Sequence, residues 1–227
     1  MANASTTGFG LRMVMNVGNT PATSGQSEYK IQTAPGVATN KGDPMNIQDA
    51  GNIGFIQDVA FTTLDNGGVG GTAWSTAGGN AEPPCIGVFN GAFFIDSTGK
   101  PTFANSVVAG VTTSKDYNTG SDNIIAFANT NPAQEYTVRL NAALAGSAAA
   151  AQALLNSVNF FNPIDEVDGD AIDGLSRITL SVATNGASAT NGMFRLVRNA
   201  NIEEQDDLLT AGAQVVVVIQ PASALYN

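Results

Sequence analysis

Histidine is absent from this 227-residue chain, and cysteine and tryptophan each occur once. Without histidine there is no ordinary imidazole base near neutral pH, and the commonest metal ligand is missing as well. A Ser/His/Asp triad cannot be assembled. The single Cys85 allows no internal disulfide and no cysteine zinc cluster. It lies in the apolar run "CIGVF", where a thiol packs as a small hydrophobe, so a buried spectator is expected rather than a nucleophile. Cations are scarce too. Nine Lys and Arg against 19 Asp and Glu leave a formal charge of −10, and the nine are scattered singly. No basic patch is available to neutralise phosphates, so nucleic acid is not an expected partner. The longest helix-like apolar stretch, "NAALAGSAAAAQALLNSV" (141 to 158), is mostly alanine and is interrupted by Gly146 and Ser147. It is too short and too weakly hydrophobic to span a bilayer, and no membrane segment is expected. The start "MANASTTGFG" has no charged leader before an apolar core, so synthesis in the cytoplasm without a secretory signal is expected.

Hydrophobic residues make up 43% of the chain, enough to fill the core of one large all-β domain or two small ones. Period-two alternation appears early: Phe9, Leu11, Met13, Met15 and Val17 fall on one side of a strand, with Gly10, Arg12 and Asn16 opposite. Further strand-like runs are "EYKIQT" (28 to 33), "PMNIQ" (44 to 48), "GFIQDVAF" (54 to 61), "CIGVFNGAFFI" (85 to 95), "TFANSVV" (102 to 108) and "NIIAFAN" (123 to 129). Later come "EYTVRL" (135 to 140), "RITLSVA" (177 to 183), "MFRLVRN" (193 to 199) and "AQVVVVIQ" (213 to 220). The "VVVV" run does not alternate, which places it centrally, covered on both faces. Clusters of Gly, Asn, Asp, Ser and Thr separate these runs, the longest being the glycine-rich loop 64 to 84. This is the grammar of an all-β, mainly antiparallel barrel or sandwich, with one short Ala-rich helix near 143 to 158.

Several stretches invite a chemical reading. "FIDSTGKPTF" (94 to 103) contains Gly99-Lys100, yet Phe94 stands where a phosphate-binding loop needs glycine, and Pro101 stands where it needs a hydroxyl. The stretch is expected to be a hairpin turn instead. "DEVDGDAIDG" (165 to 174) offers Asp168 and Asp170 as oxygen ligands, but no register completes an EF-hand loop, so a solvated acidic turn is expected and no metal or cofactor. Glu203, Glu204, Asp206 and Asp207 in "NIEEQDDLL" lack the separation across a sugar cleft that glycosidic hydrolysis requires. Trp74 sits among glycines and reads as a plug on the domain, with a sugar-stacking platform as the alternative.

Taken in order, the blocks "MANASTTGFGLR", "EYKIQ" with "ATNKGDPMNI", "IGVFNGAFFIDSTGKPTFANS", "EYTVRLNA" and "GMFRLVRNANIEEQDDLLTAGAQVVVVIQ" resemble the capsid cement, or decoration, proteins of tailed bacteriophages of cyanobacteria and marine bacteria. The glycine-punctuated aromatic hairpin with Thr-Gly-Lys-Pro at its tip is the most specific block. The "GGVGGTAWSTAGGN" loop and the Ala-rich helix depart from the family. The resemblance implies a non-enzymatic structural protein of the virion that binds the major capsid protein on the outer capsid surface. It implies a homo-oligomer, with a trimer expected at local three-fold positions and a dimer as the alternative at two-fold positions. Residues 1–20 are read as an N-terminal arm or first strand, and 21–227 as the β-rich decoration domain. The candidate capsid contacts are Gly8, Phe9, Leu11, Arg12, Met13 and Met15, either as a clasp added to a neighbour's sheet edge or as the first strand of the protein's own sheet. Residues 1 to 8 carry no large apolar side chain and are expected to be mobile alone. The competing function is a carbohydrate-binding or host-attachment module using Trp74 and Tyr117.

Overall fold

A computed structural model of the chain describes residues 3–17, 20–21, 25–31, 38–47, 53–55, 85–95, 98–108, 124–155, 160–164, 169, 172–186 and 194–219. The 64 to 84 loop with Trp74, Tyr117, Asp168, Asp170 and residues 56 to 61 lie outside them. The first strands in chain order are β1 (Arg12–Asn16), β2 (Thr20–Pro21), β3 (Gln26–Lys30), β4 (Thr39–Asn40), β5 (Pro44–Ile47), β6 (Ile53–Phe55), β7 (Cys85–Ile95), β8 (Pro101–Ala104), β9 (Ser106–Val107), β10 (Ile125–Asn129) and β11 (Gln134–Arg139). The helix α1 (Ala148–Leu154) follows, and then β12 (Phe160–Ile164), β13 (Thr179–Gly186), β14 (Phe194–Asn199) and β15 (Gln214–Ile219). The protein is all-β, with antiparallel pairing throughout its named strands.

Two large open sheets carry the structure. The first runs β13-β12-β14-β15-β11-β1-β2, and the second runs β3-β10-β7-β5-β6 with β8 also paired to β7. β4 and β9 form a separate small sheet. Strand β7 joins the two cores. Its Cys85 and Val88 pack with Tyr136, Leu196 and Val217 of the first sheet, whereas Ile86, Phe89, Ala92 and Phe94 pack with Ile31, Met45 and Ile124. Burial on two sides explains why this strand reads as a nearly continuous apolar run.

The valine run is central as expected, with β15 lying between β14 and β11. Val215, Val217 and Ile219 face the shared core. Val216 and Val218 lie on the opposite face beside the cross-strand neighbours Arg198, Thr137, Arg195 and Glu135, and both are buried.

Three differences from the sequence reading have local causes. The helix occupies only Ala148–Leu154, not 143 to 158. Ser147 caps it by accepting from the Ala150 amide at 3.3 Å, while the Leu144 amide donates to the Leu208 carbonyl and Leu155 returns to extended backbone. The run 102 to 108 divides at Asn105, so that β8 pairs with β7 and β9 with β4. Strand β12 is not among the strand-like runs of the sequence, and it contains Pro163, a residue disfavoured in central strands. Among the described residues β14 pairs with Phe160 and Phe161 alone, and Pro163 pairs with Leu180 of β13 alone, so on its β14 side Pro163 lies where the ladder has ended, as an edge proline does.

The expected hairpin at 94 to 103 is present. Ile95 pairs with Pro101 and Phe93 with Phe103, and Gly99 turns the chain with φ of +83°. Lys100 is exposed at the tip.

Candidate functional site

The first strand belongs to the protein's own sheet. β1 pairs along β11, with Arg12 opposite Thr137 and Met13 opposite Tyr136, and a bulge follows before Met15. That bulge ends the simple alternation read from the sequence. Phe9 and Leu11 are buried, Arg12 and Met13 are exposed, and Met15 is half-buried. Gly8 is buried where the chain runs so close to Arg177 that a Cβ would fall 1.8 Å from its carbonyl oxygen. Only glycine fits there.

Residues 3 to 8 do not wait for a partner to order them. Asn3 donates through Nδ2 to the carbonyls of Asp207 and Ala211 and to Thr210, and accepts from the Asp207 amide at 3.1 Å. Arg139 donates to Ser5 Oγ at 2.9 Å and to the Thr7 carbonyl. The acidic turn 203 to 207 therefore anchors the N-terminal stretch through its backbone, while Glu203, Glu204 and Asp206 point into solvent. In the other acidic segment Asp173 accepts from the Leu175 amide and lies 3.8 Å from Arg177. No group of three or more metal-ligating side chains occurs among the described residues.

At the seam of the two sheets, residues 9 to 13 form one wall of an open cleft of about 280 Å³. Its apolar lining comes from Phe9, Leu11, Val88, Phe89 and Leu175. The exposed Arg12 and Met13 stand at its mouth, and the half-buried Lys41 and Asn90 and the buried Asn129 complete the lining. A tight turn holds the far side. Asp43 accepts from the Asn40 amide at 2.6 Å through its carboxylate, and Gly42 takes φ of +101°. The Leu11 amide donates to the Gly42 carbonyl at 2.9 Å, the Gly42 amide to Phe89 at 2.9 Å, and the Phe89 amide to Asp43 at 2.8 Å. These backbone bonds tie residue 11, the turn and β7 into one frame, so the cleft is preformed.

The electrostatics of the cleft are one-sided. Arg12 lies over the Phe9 ring at 4.5 Å and Arg139 over the same ring at 5.2 Å. Burial lowers the Arg139 pKa, and the charge of Arg12 lowers it further. Neither Arg12 nor Lys41 forms an ion pair among the described residues, and no carboxylate among them lines the cleft. Asn129 is engaged, its Nδ2 meeting Met13 Sδ and its Oδ1 accepting from the Asn131 amide. Cations, amides and apolar walls suit the binding of a partly apolar anion.

Cys85 is buried beneath this region and donates to the Gly87 carbonyl at 3.5 Å, and burial pushes its thiol up to about 12. It is held as a neutral thiol, as its apolar run suggests.

The sequence signals Phe9, Leu11, Arg12 and Met13 but not their neighbours Lys41, Val88, Phe89 and Leu175, which come from distant segments. "KGDP" is the one local sign, since a glycine before Asp-Pro marks the turn that presents Lys41. Comparison of the chain with protein-family models, curated proteins and solved structures returns no match.

Proposed function

We propose that this chain is a non-enzymatic capsid cement protein that binds the outer surface of an icosahedral phage shell, through the major capsid protein, and bridges neighbouring capsomers. The observation that carries the reading is the β7–β8 hairpin, the block on which the family resemblance is most specific. Its outward face bears Phe93, Ile95 and Phe103, all exposed, and the neighbouring β10 adds Ile125. Phe103 touches Phe127 with ring centroids 5.9 Å apart. A contiguous exposed apolar row marks a surface meant to be covered by protein.

The mechanism is mechanical. Packaged DNA presses outward on the shell, and every interface added across a capsomer boundary makes separation of capsid subunits cost its binding free energy as well. No covalent step is needed, and the acidic charge of the chain suits an exterior that holds no DNA. The protein acts as a homo-oligomer on this reading, so that one unit reaches several capsomers.

Co-sedimentation with purified shells tests the proposal. The protein is expected to pellet with mature, expanded capsids and to remain in solution with unexpanded precursor shells. Labelled-virion microscopy that places it on tail or fibre instead of the shell contradicts it.

A further inference from the structure

We propose that the seam cleft receives one bulky apolar side chain followed by a carboxylate, Asp or Glu, on an extended segment of the capsid polypeptide; this rests on the cement reading. The class of ligand follows from the walls. Phe9, Leu11, Val88, Phe89 and Leu175 offer a preformed apolar surface, and backbone bonds through Gly42 keep it open. Leu11, Val88 and Phe89 are already at most 4% exposed, so the gain on filling the cleft comes mainly from the incoming apolar side chain leaving water, without reorganising the frame.

The carboxylate follows from the mouth. In a chain of net charge −10, the cleft gathers Arg12 and Lys41 with no carboxylate among its described lining residues. A third cation, Arg139, lies over the same Phe9 ring as Arg12, and its pKa is lowered first by burial and then by the charge of Arg12. An incoming carboxylate would offset that repulsion and accept the fork of N–H groups that a guanidinium presents.

A polypeptide suits the site better than a small free carboxylate. Among the described residues β2 joins β1 only at Met15 and Asn16, and the Arg12–Val14 edge beside the cleft has no β2 partner there. An extended segment can lie along that edge while its side chains fill the cleft, main chain and side chain both contributing.

The test uses the full chain and blocked pentapeptides. Acetyl-Gly-Ala-Phe-Glu-Gly-amide, its Lys counterpart in place of Glu, and 4-phenylbutyrate are titrated against the isotopically labelled protein. The acidic peptide is expected to shift the amide signals of residues 9 to 13, 41 to 42 and 88 to 90, and to bind about tenfold or more tighter than the Lys peptide. Its binding should weaken from about 0.1 M to about 1 M salt, as screening shortens from about 10 Å to about 3 Å. The double variant Arg12→Glu, Lys41→Glu should invert the preference, and Arg12→Gln, Lys41→Gln should erase it. Arg12 is exposed and Lys41 half-buried, so the variants are expected to fold, with at most a small drop in melting temperature from the lost Arg12–Phe9 contact. Equal binding of the two peptides, or phenylbutyrate binding as tightly as the acidic peptide, overturns the inference. If the charge-reversed variant, still folded, pellets with expanded shells as the parent does, the cleft is not the capsid contact and the cement reading stands. If the acidic peptide binds while the parent ignores shells, the ligand chemistry is upheld and the cement reading fails.

Discussion

The Arg12 guanidinium carbon stands 4.5 Å above the centroid of the Phe9 ring, so an exposed charge at the start of β1 and a buried aromatic three residues before it form one unit. Their contributions differ in kind. Phe9→Ala removes a buried ring and is expected to cost about 3 kcal/mol of stability. Arg12→Ala removes an exposed cation–π contact and is expected to cost less than about 1 kcal/mol. Urea midpoints of the two variants check this, and equal losses would contradict the division between wall and rim.

Deleting residues 1 to 8 is expected to destabilise the protein, not merely to trim it. The deletion removes the Asn3 bonds to the 207 to 211 turn and both acceptors of Arg139, whose Nε already lacks a partner. Leaving a buried guanidinium poorly satisfied costs about 2 kcal/mol or more. Thermal melts of the truncated chain measure it. An unchanged midpoint would restore the idea of a mobile arm.

Stability should fall on the alkaline side. Burial pushes the Cys85 thiol from 9.0 up to about 12 and also raises the Tyr136 phenol, to which the charge of Cys85 adds. Both groups keep their protons in the folded state while the unfolded chain loses them, so the folded state binds more protons in this window. The Cys85 contribution is full below about pH 9 and is lost as pH rises toward about 12, and the Tyr136 contribution begins to be lost above about pH 10, each at about 1.4 kcal/mol per pH unit in its own window. Urea midpoints from pH 8 to 11 should decline, and Cys85→Ala should flatten the decline between pH 9 and 10. A profile that is level to pH 11 would contradict the burial of these groups.

Arg198→Ala should be costly despite the partial exposure of Arg198. Its Nη1 pairs with the Glu135 carboxylate, which is only 6% exposed and sits opposite Val218 in the ladder. Removing the arginine strands a buried carboxylate, at about 3 kcal/mol. The double variant Arg198→Met, Glu135→Leu should recover most of that loss, because no lone charge remains. Chemical denaturation of the three proteins decides it; a double variant no better than the single one would show that the ion pair is not the reason.

The strands were legible where burial is simple. β7 is legible with its bounds because ten of its eleven residues, all but Asn90, are apolar or glycine, and the central place of β15 is legible because four consecutive valines have one reasonable placement. β12 contains Pro163, whose tolerance depends on where β14 stops pairing, a fact of tertiary register. Ala143 and Ala145 favour helix at 143 to 146, yet the Leu144 amide is held by the Leu208 carbonyl while its side chain enters the core, so the helix begins only at Ala148. At the cleft, residues 9 to 13 announced themselves by pattern. Lys41 and Leu175 did not, because they meet only through a bridge between segments more than 130 residues apart, where Lys41 pairs with Leu175.

The central claim is that the protein strengthens a shell. The temperature at which DNA-filled, expanded capsids stripped of their decoration release their DNA, measured with and without the purified protein at saturating concentration, tests it most directly. The account predicts a higher release temperature with the protein, and a smaller rise with the Arg12→Glu, Lys41→Glu variant. Capsids that bind the protein and release DNA at the same temperature as bare shells, or that do not bind it, would contradict the claim.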